Sequence, residues 1–146
     1  MSKPTVPVAV IMERLKLEDK WQSEKWEAVG IIPFSPESNM RTLLRDARRE
    51  QMLFPGLDIT LHRDECEGYL ANLTGAYPKV FVAWRMEEEI AKPWLVTVSY
   101  NEAARLMDGG EQVDGVPLPA EIAAWMAPFV EQNYRPPPEK IRRKKW

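Results

Sequence analysis

Residues 6–17 read Val-Pro-Val-Ala-Val-Ile-Met-Glu-Arg-Leu-Lys-Leu, and this run constrains the fold more than any other stretch of the chain. Val6, Val8, Val10 and Met12 fall on one side of an extended backbone, and Arg14 and Lys16 continue the alternation. A period of two with β-branched residues marks a strand with one buried face. Such a strand needs neighbours to pair with and a second layer to cover it. Pro7 lacks a ladder donor, which puts the start of the strand on an edge or outside the ladder.

More strand signals follow. Lys25–Ile32 is a second strand candidate, with Trp26, Val29, Ile31 and Ile32 and closed by Pro33, and Leu57, Ile59 and Leu61 alternate with Asp58, Thr60 and His62. Pro55-Gly56 reads as a turn before that alternating run. Asp64-Glu65 reads as a turn into a strand over Glu67–Thr74, with Tyr69, Ala71 and Leu73 on one face. Lys79–Met86 and Pro93–Ser99 are rich in Val, Trp and Phe, with Glu87-Glu88-Glu89 crowning the hairpin between them. Residues 35–54 are ambiguous. Ser35-Pro36 resembles a helix start, and Met40, Leu43, Leu44 and Ala47 have helical spacing, which favours a helix; short strands also fit.

Beyond Ser99 the period changes. Ser99 and Glu102 have capping-box spacing, and Ala103, Leu106 and Met107 suit a short helix stopped by Gly109-Gly110. A turn-rich loop through Gly115-Val116-Pro117 leads to Pro119, which opens a second helix with Ile122, Trp125, Met126, Phe129 and Val130 as its apolar stripe. Pro128 predicts a kink or break in it. The fold class expected is α+β: an antiparallel, strongly curled sheet or partly open barrel of about six strands, followed by two C-terminal helices. Residues 1–134 form the expected single globular domain, and 135–146 an extended, proline-rich and basic tail.

A chain of 146 residues can bury a core without disulfides or a structural metal. Cys66 is the only cysteine and gives an oxidising compartment no support. The apolar runs are too short to span a bilayer, and Met1-Ser2-Lys3-Pro4 does not resemble a secretory signal, so a cytoplasmic location without membrane insertion is expected. Lys140, Arg142, Arg143, Lys144 and Lys145 against Glu139 give the end of the chain +4 within a total of −2, so residues 1–138 carry −6. An acidic body disfavours nucleic-acid binding except through that tail, where Trp146 is able to stack on a base.

Chemistry-bearing groups are sparse. His62 is the only histidine, and with Cys66 it supplies two His/Cys ligands where zinc takes three or four, so a solvent-facing histidine is the plainer reading. Cys66 as a nucleophile lacks an evident orienting partner, and a structural cysteine is the plainer reading. No phosphate-cradling glycine loop occurs, and neither a catalytic residue nor a cofactor or metal site is expected. Asn72-Leu73-Thr74 matches a glycosylation acceptor that a cytoplasmic protein does not use. Six tryptophans stand out. Core packing accounts for Trp84, Trp94 and Trp125, with Trp84 and Trp94 able to pair across a hairpin. Trp21, flanked by Asp19, Lys20, Gln22 and Ser23, is either an exposed anchor for a protein partner or a lid packed on the sheet.

Four stretches are word-like: Met12–Pro33 with Trp-Gln-Ser-Glu-Lys-Trp-Glu-Ala-Val-Gly, and Phe54–Thr74 with Phe-Pro-Gly-Leu and His-Arg-Asp-Glu. The others are Pro78–Met86 with Pro-Lys-Val-Phe-Val-Ala-Trp-Arg, and Thr97–Pro136 with Val-Ser-Tyr-Asn-Glu-Ala-Ala-Arg and Asn-Tyr-Arg-Pro. Together they resemble a bacterial family of unknown function often encoded beside formate dehydrogenase genes. The resemblance implies an accessory role in the assembly, maturation or regulation of a formate dehydrogenase, with one of its subunits or maturation factors as partner. It carries no catalytic residues. The function expected is therefore a non-enzymatic protein-binding module, with Trp21, Trp26, His62, Arg63, Asp64 and Glu65 as its surface. The alternatives are a nucleic-acid-associated or regulatory protein acting through residues 139–146, and a small enzyme or metal protein using His62 and Cys66.

Overall fold

The computed structural model describes residues 3–136. The opening run forms β1 (Thr5–Lys16), the hub of a four-stranded antiparallel sheet with β2 (Glu24–Pro33), β3 (Arg41–Arg45) and β4 (Arg49–Thr60), in the order β2-β1-β4-β3. The alternation does what the pattern predicts: Val6, Val8, Val10 and Met12 are all buried in the core. Pro7 faces Asp58 of β4 in register, yet its carbonyl accepts from the Ser35 N–H at 3.1 Å, past the end of β2. The missing donor therefore falls on the side where β1 has no paired strand.

The helix expected over 35–54 is not formed. Ser35 Oγ accepts the Glu37 N–H at 3.3 Å, as a cap would, but the turn does not propagate. Asp46 closes a different turn, its Oδ1 accepting the Arg48 and Arg49 N–H groups at 2.8 Å each, and this joins β3 to β4. Met40 and Leu43, which supplied the helical spacing, are exposed; Glu50, Met52 and Phe54 alternate inward against β1. Pairing with β1 overrides local propensity here. Pro55-Gly56 is not a turn either. Val8 faces Leu57 and Val10 faces Phe54, so the dipeptide is a bulge inside β4, with Gly56 at φ 83°. The bulge shifts the parity, which lets Phe54 before it and Ile59 after it both point into the core.

The strand expected over 67–74 is a helix, α1 (Cys66–Leu73), entered through a 3-10 turn at Arg63–Glu65. Cys66, Tyr69, Leu70 and Leu73 satisfy a helical period as well as Tyr69, Ala71 and Leu73 satisfy an extended one. The packing selects the helix. Asn72 is buried, donates to the Lys79 and Val98 carbonyls at 2.7 and 2.9 Å, and accepts the Lys79 N–H at 2.9 Å.

A second antiparallel sheet holds β5 (Lys79–Glu87), β6 (Ile90–Thr97) and β7 (Gln112–Pro117), in the order β6-β5-β7. Glu88 and Glu89, at φ 53° and 65°, form the two-residue hairpin turn expected at the acidic run. Between β6 and β7 lies α2 (Tyr100–Asp108), whose cap Ser99 accepts the Glu102 N–H at 3.0 Å, as its spacing predicts. The loop expected around Gly115 is instead β7. The last helix, α3 (Ala120–Asn133), runs through Pro128 as one element.

Among the described residues the architecture is thus α+β with two separate sheets and three helices interleaved with the strands, not one curled sheet or partly open barrel followed by two helices. The sheets adjoin along β4 and β6 and along β2 and β7, but no backbone ladder joins them. A side chain bridges the second of these seams. Asp114 Oδ2 on β7 accepts the Ala28 N–H of β2 at 2.9 Å and the Trp84 indole N–H of β5 at 2.8 Å. Buried residues of both sheets, α1 and α3 form one hydrophobic cluster.

Candidate functional site

Two hairpin tips meet at one end of the four-stranded sheet. Leu17 N–H donates to the Ser23 carbonyl at 2.9 Å and closes the loop after β1; Lys16 N–H donates to the Arg48 carbonyl at 2.7 Å and ties that loop to the β3–β4 tip. Trp21 projects from the first loop with 92% of its surface exposed, its own N–H held by Asp19 Oδ1 at 2.9 Å. It is no lid. A groove of about 350 Å³ lies between the tips, lined by Lys16, Glu18, Ala47 and Arg48. On the second tip, hydrogen bonds from the Arg48 and Arg49 amides hold the Asp46 carboxyl below the usual carboxylate range, so it stays charged and the turn stays closed.

Trp26, five residues on, is buried in the core, and its indole N–H reaches Glu24 Oε1 at 3.3 Å. Trp94 departs from the core role expected of it. Trp84 faces Pro93, which leaves Trp94 in a bulge and 37% exposed, with the Arg85 guanidinium 4.0 Å above its ring. Arg85 is gripped in turn by both Glu111 oxygens, at 3.1 and 2.5 Å. That pairing raises the arginine's pKa and lowers the carboxylate's.

His62, Arg63, Asp64 and Glu65 occupy the corner between β4 and α1, at the opposite end of the sheet. Thr5 pairs with Thr60 near this corner and Leu15 pairs with Arg49 near the tips, a strand length of about 30 Å. The structure therefore does not bring Trp21 and His62 together. His62 is half-buried, its N–H donating to the Tyr69 hydroxyl at 2.9 Å and its Nδ1 lying 2.8 Å from Lys3 Nζ. Arg63 and Asp64 are exposed. The Glu65 carboxylate turns inward, accepting from Ser99 Oγ and from Arg105, and so braces α1 against α2. Gly68 makes that brace possible, because a Cβ there would sit 2.1 Å from Ser99 Oγ.

Cys66 opens α1 and is 3% exposed, and burial pushes its thiol pKa up, away from a reactive thiolate. Burial also pushes the Tyr69 hydroxyl up to about 12. Among the described residues no three or more His, Cys, Asp or Glu side chains are placed to hold a metal ion together. No helix there is long and apolar enough to cross a membrane. Lys140, Arg142, Arg143, Lys144, Lys145 and Trp146 lie outside the described residues.

Trp21, singled out in the sequence, is exposed, whereas nothing in the sequence singles out Lys16, Ala47 and Arg48 of the groove between the tips. Only the pairing of β1 with β4 makes them neighbours, and no local motif signals that. No curated protein and no solved structure matched the chain. Its residues 7–145 match the model of a family described as protein of unknown function (DUF3305), and the chain belongs to that family.

Proposed function

We propose that this chain is a non-enzymatic protein-binding module that uses Trp21 as its anchor and serves a formate dehydrogenase in assembly, maturation or regulation. The observation that carries the reading is the exposure of Trp21 on a loop whose backbone is pinned at Asp19 and Ser23. A loop whose backbone is fixed before contact loses less freedom on binding, and large aromatic anchors dominate interface energetics. Lys16, Lys20 and Arg48 are exposed at the same end beside the exposed carboxylates of Glu18, Asp19 and Asp46, so a partner surface of mixed charge fits it. The buried, protonated state of Cys66 speaks against nucleophilic catalysis through it. The enzyme partner rests on the resemblance to a family encoded beside formate dehydrogenase genes.

The test is capture of the tagged, full-length chain from its native bacterium under conditions that induce formate dehydrogenase, with chemical crosslinking and mass spectrometry. Recovery of an enzyme subunit or maturation factor, reduced tenfold or more by Trp21→Ala, is the expected result (about 1.4 kcal/mol or more). Recovery that ignores Trp21→Ala removes the anchor assignment. Failure to enrich any such protein removes the link to the enzyme.

A further inference from the structure

Tyr77 stands in the turn between α1 and β5 with 83% of its surface exposed, and an apolar groove lies on each side of it. The larger, about 490 Å³, is walled by Leu73, Pro78, Pro117, Leu118 and Ala123. The smaller, about 370 Å³, is walled by Ala71, Gly75, Phe81 and Tyr100. Ala76, Tyr77 and Lys79 line both. Lys79 is the one charged residue among the walls of either groove, and no ion pair among the described residues engages it.

The position of that charge is built in. The buried Asn72 amide grips the Lys79 backbone at both its N–H and its carbonyl. Gly115 on β7 carries no side chain where the lysine stem crosses it; a Cβ there would lie 2.6 Å from Lys79 Cδ. The aliphatic stem is thus laid over a neighbouring strand, and the exposed lysine lines both apolar grooves. Tyrosine at a fixed, exposed turn supplies contact area at low entropic cost.

We propose that the two grooves flanking Tyr77 form a docking surface for a partner-protein segment that carries an acidic side chain between two apolar ones. One apolar side chain enters each groove, the segment crosses Tyr77, and the carboxylate meets Lys79. This goes beyond the Trp21 reading, since no residue here belongs to the hairpin tips, and either assignment stands if the other fails.

The probe is a random 12-residue peptide library displayed on phage, selected against the intact chain, with enriched peptides resynthesised for fluorescence-polarisation binding. The expected consensus has Asp or Glu flanked by apolar residues. Tyr77→Ala should weaken those peptides about tenfold or more. Lys79→Met keeps the stem over Gly115 and removes the charge, so it should abolish the preference for Glu over Gln at the acidic position while leaving apolar binding in place. Trp21→Ala should change nothing. No enrichment, a consensus without an acidic residue, or binding indifferent to Tyr77→Ala each overturns the proposal. Both substituted side chains are exposed, and an unchanged thermal midpoint confirms that a loss of binding is not a loss of fold.

Discussion

Asp114→Ala tests the seam between the two sheets most directly. Asp114 Oδ2 receives the Ala28 N–H and the Trp84 indole N–H, and both donors belong to buried residues, at 7% and 9% exposure. Removing the carboxylate leaves two donors without a partner. Hydrogen bonds to a charged group contribute about 1.5–3 kcal/mol each. Asp114 is itself half-buried, so water reaches part of the vacated space and the sum falls below its ceiling, to about 3 kcal/mol. For a chain of this length that corresponds to a thermal midpoint lower by about 10 °C. Urea titration followed by tryptophan emission measures the change, with the slope against denaturant expected to stay constant. A double-mutant cycle with Trp84→Phe isolates the indole bond and should return a coupling of about 1–2 kcal/mol. A loss below 1 kcal/mol for Asp114→Ala, or no coupling to Trp84, would show that the seam is held by apolar packing and that the side-chain bridge is incidental.

The remaining predictions follow from the same geometry. Gly68→Ala puts a Cβ against Ser99 Oγ, which Glu65 and the Glu102 amide hold in place, so it should cost about 2 kcal/mol or more in a denaturant titration. Glu88 and Glu89 occupy left-handed backbone that suits Asn-Gly, so Glu88→Asn with Glu89→Gly should raise stability by about 1 kcal/mol and the thermal midpoint with it. Tyr69 titrates at about 12 when folded against about 10 when unfolded, so its contribution is complete below pH 10 and is lost as pH rises from 10 towards 12. Urea midpoints measured across that range should fall more steeply for the native chain than for Tyr69→Phe, and parallel slopes would refute the assignment.

Local signals were legible where one element carried them alone. The buried stripe of β1 and the Ser99 cap with its Gly109-Gly110 stop both appear as the pattern specifies. What was not legible depends on partners distant in the chain. Pro55-Gly56 carries the chemistry of a turn, and only the register with Val8 and Val10 makes it a bulge. Eight residues of α1 fit either period, and the choice is made by Asn72 reaching β5 and β6. At the candidate site the loop setting of Trp21 was readable. That Trp26 would be buried and that Glu65 would face Ser99 instead of solvent was not, because burial and bracing are properties of the assembled layers.

The end of the sheet that presents Trp21 is tied by ion pairs where a core would otherwise hold it. On the inner face Glu50, with 9% of its side chain exposed, lies 3.6 Å from Arg14 and 2.6 Å from Arg45. Glu13, 10% exposed, lies 3.5 Å from Arg49 and 3.1 Å from the Gln51 amide. Carboxylates this sheltered gain little net stability from their partners, since desolvation offsets most of the attraction. Their partners sit on β1, β3 and β4, and a one-residue slip of any of these strands would carry each carboxylate to the wrong face. The pairs therefore contribute register more than stability. Register at Leu15 and Arg49 sets where the two tips meet, through the single bond from Lys16 to Arg48. For the anchor role proposed for Trp21, a tip located in this way fixes the backbone beforehand and leaves only the exposed side chain to be ordered on contact.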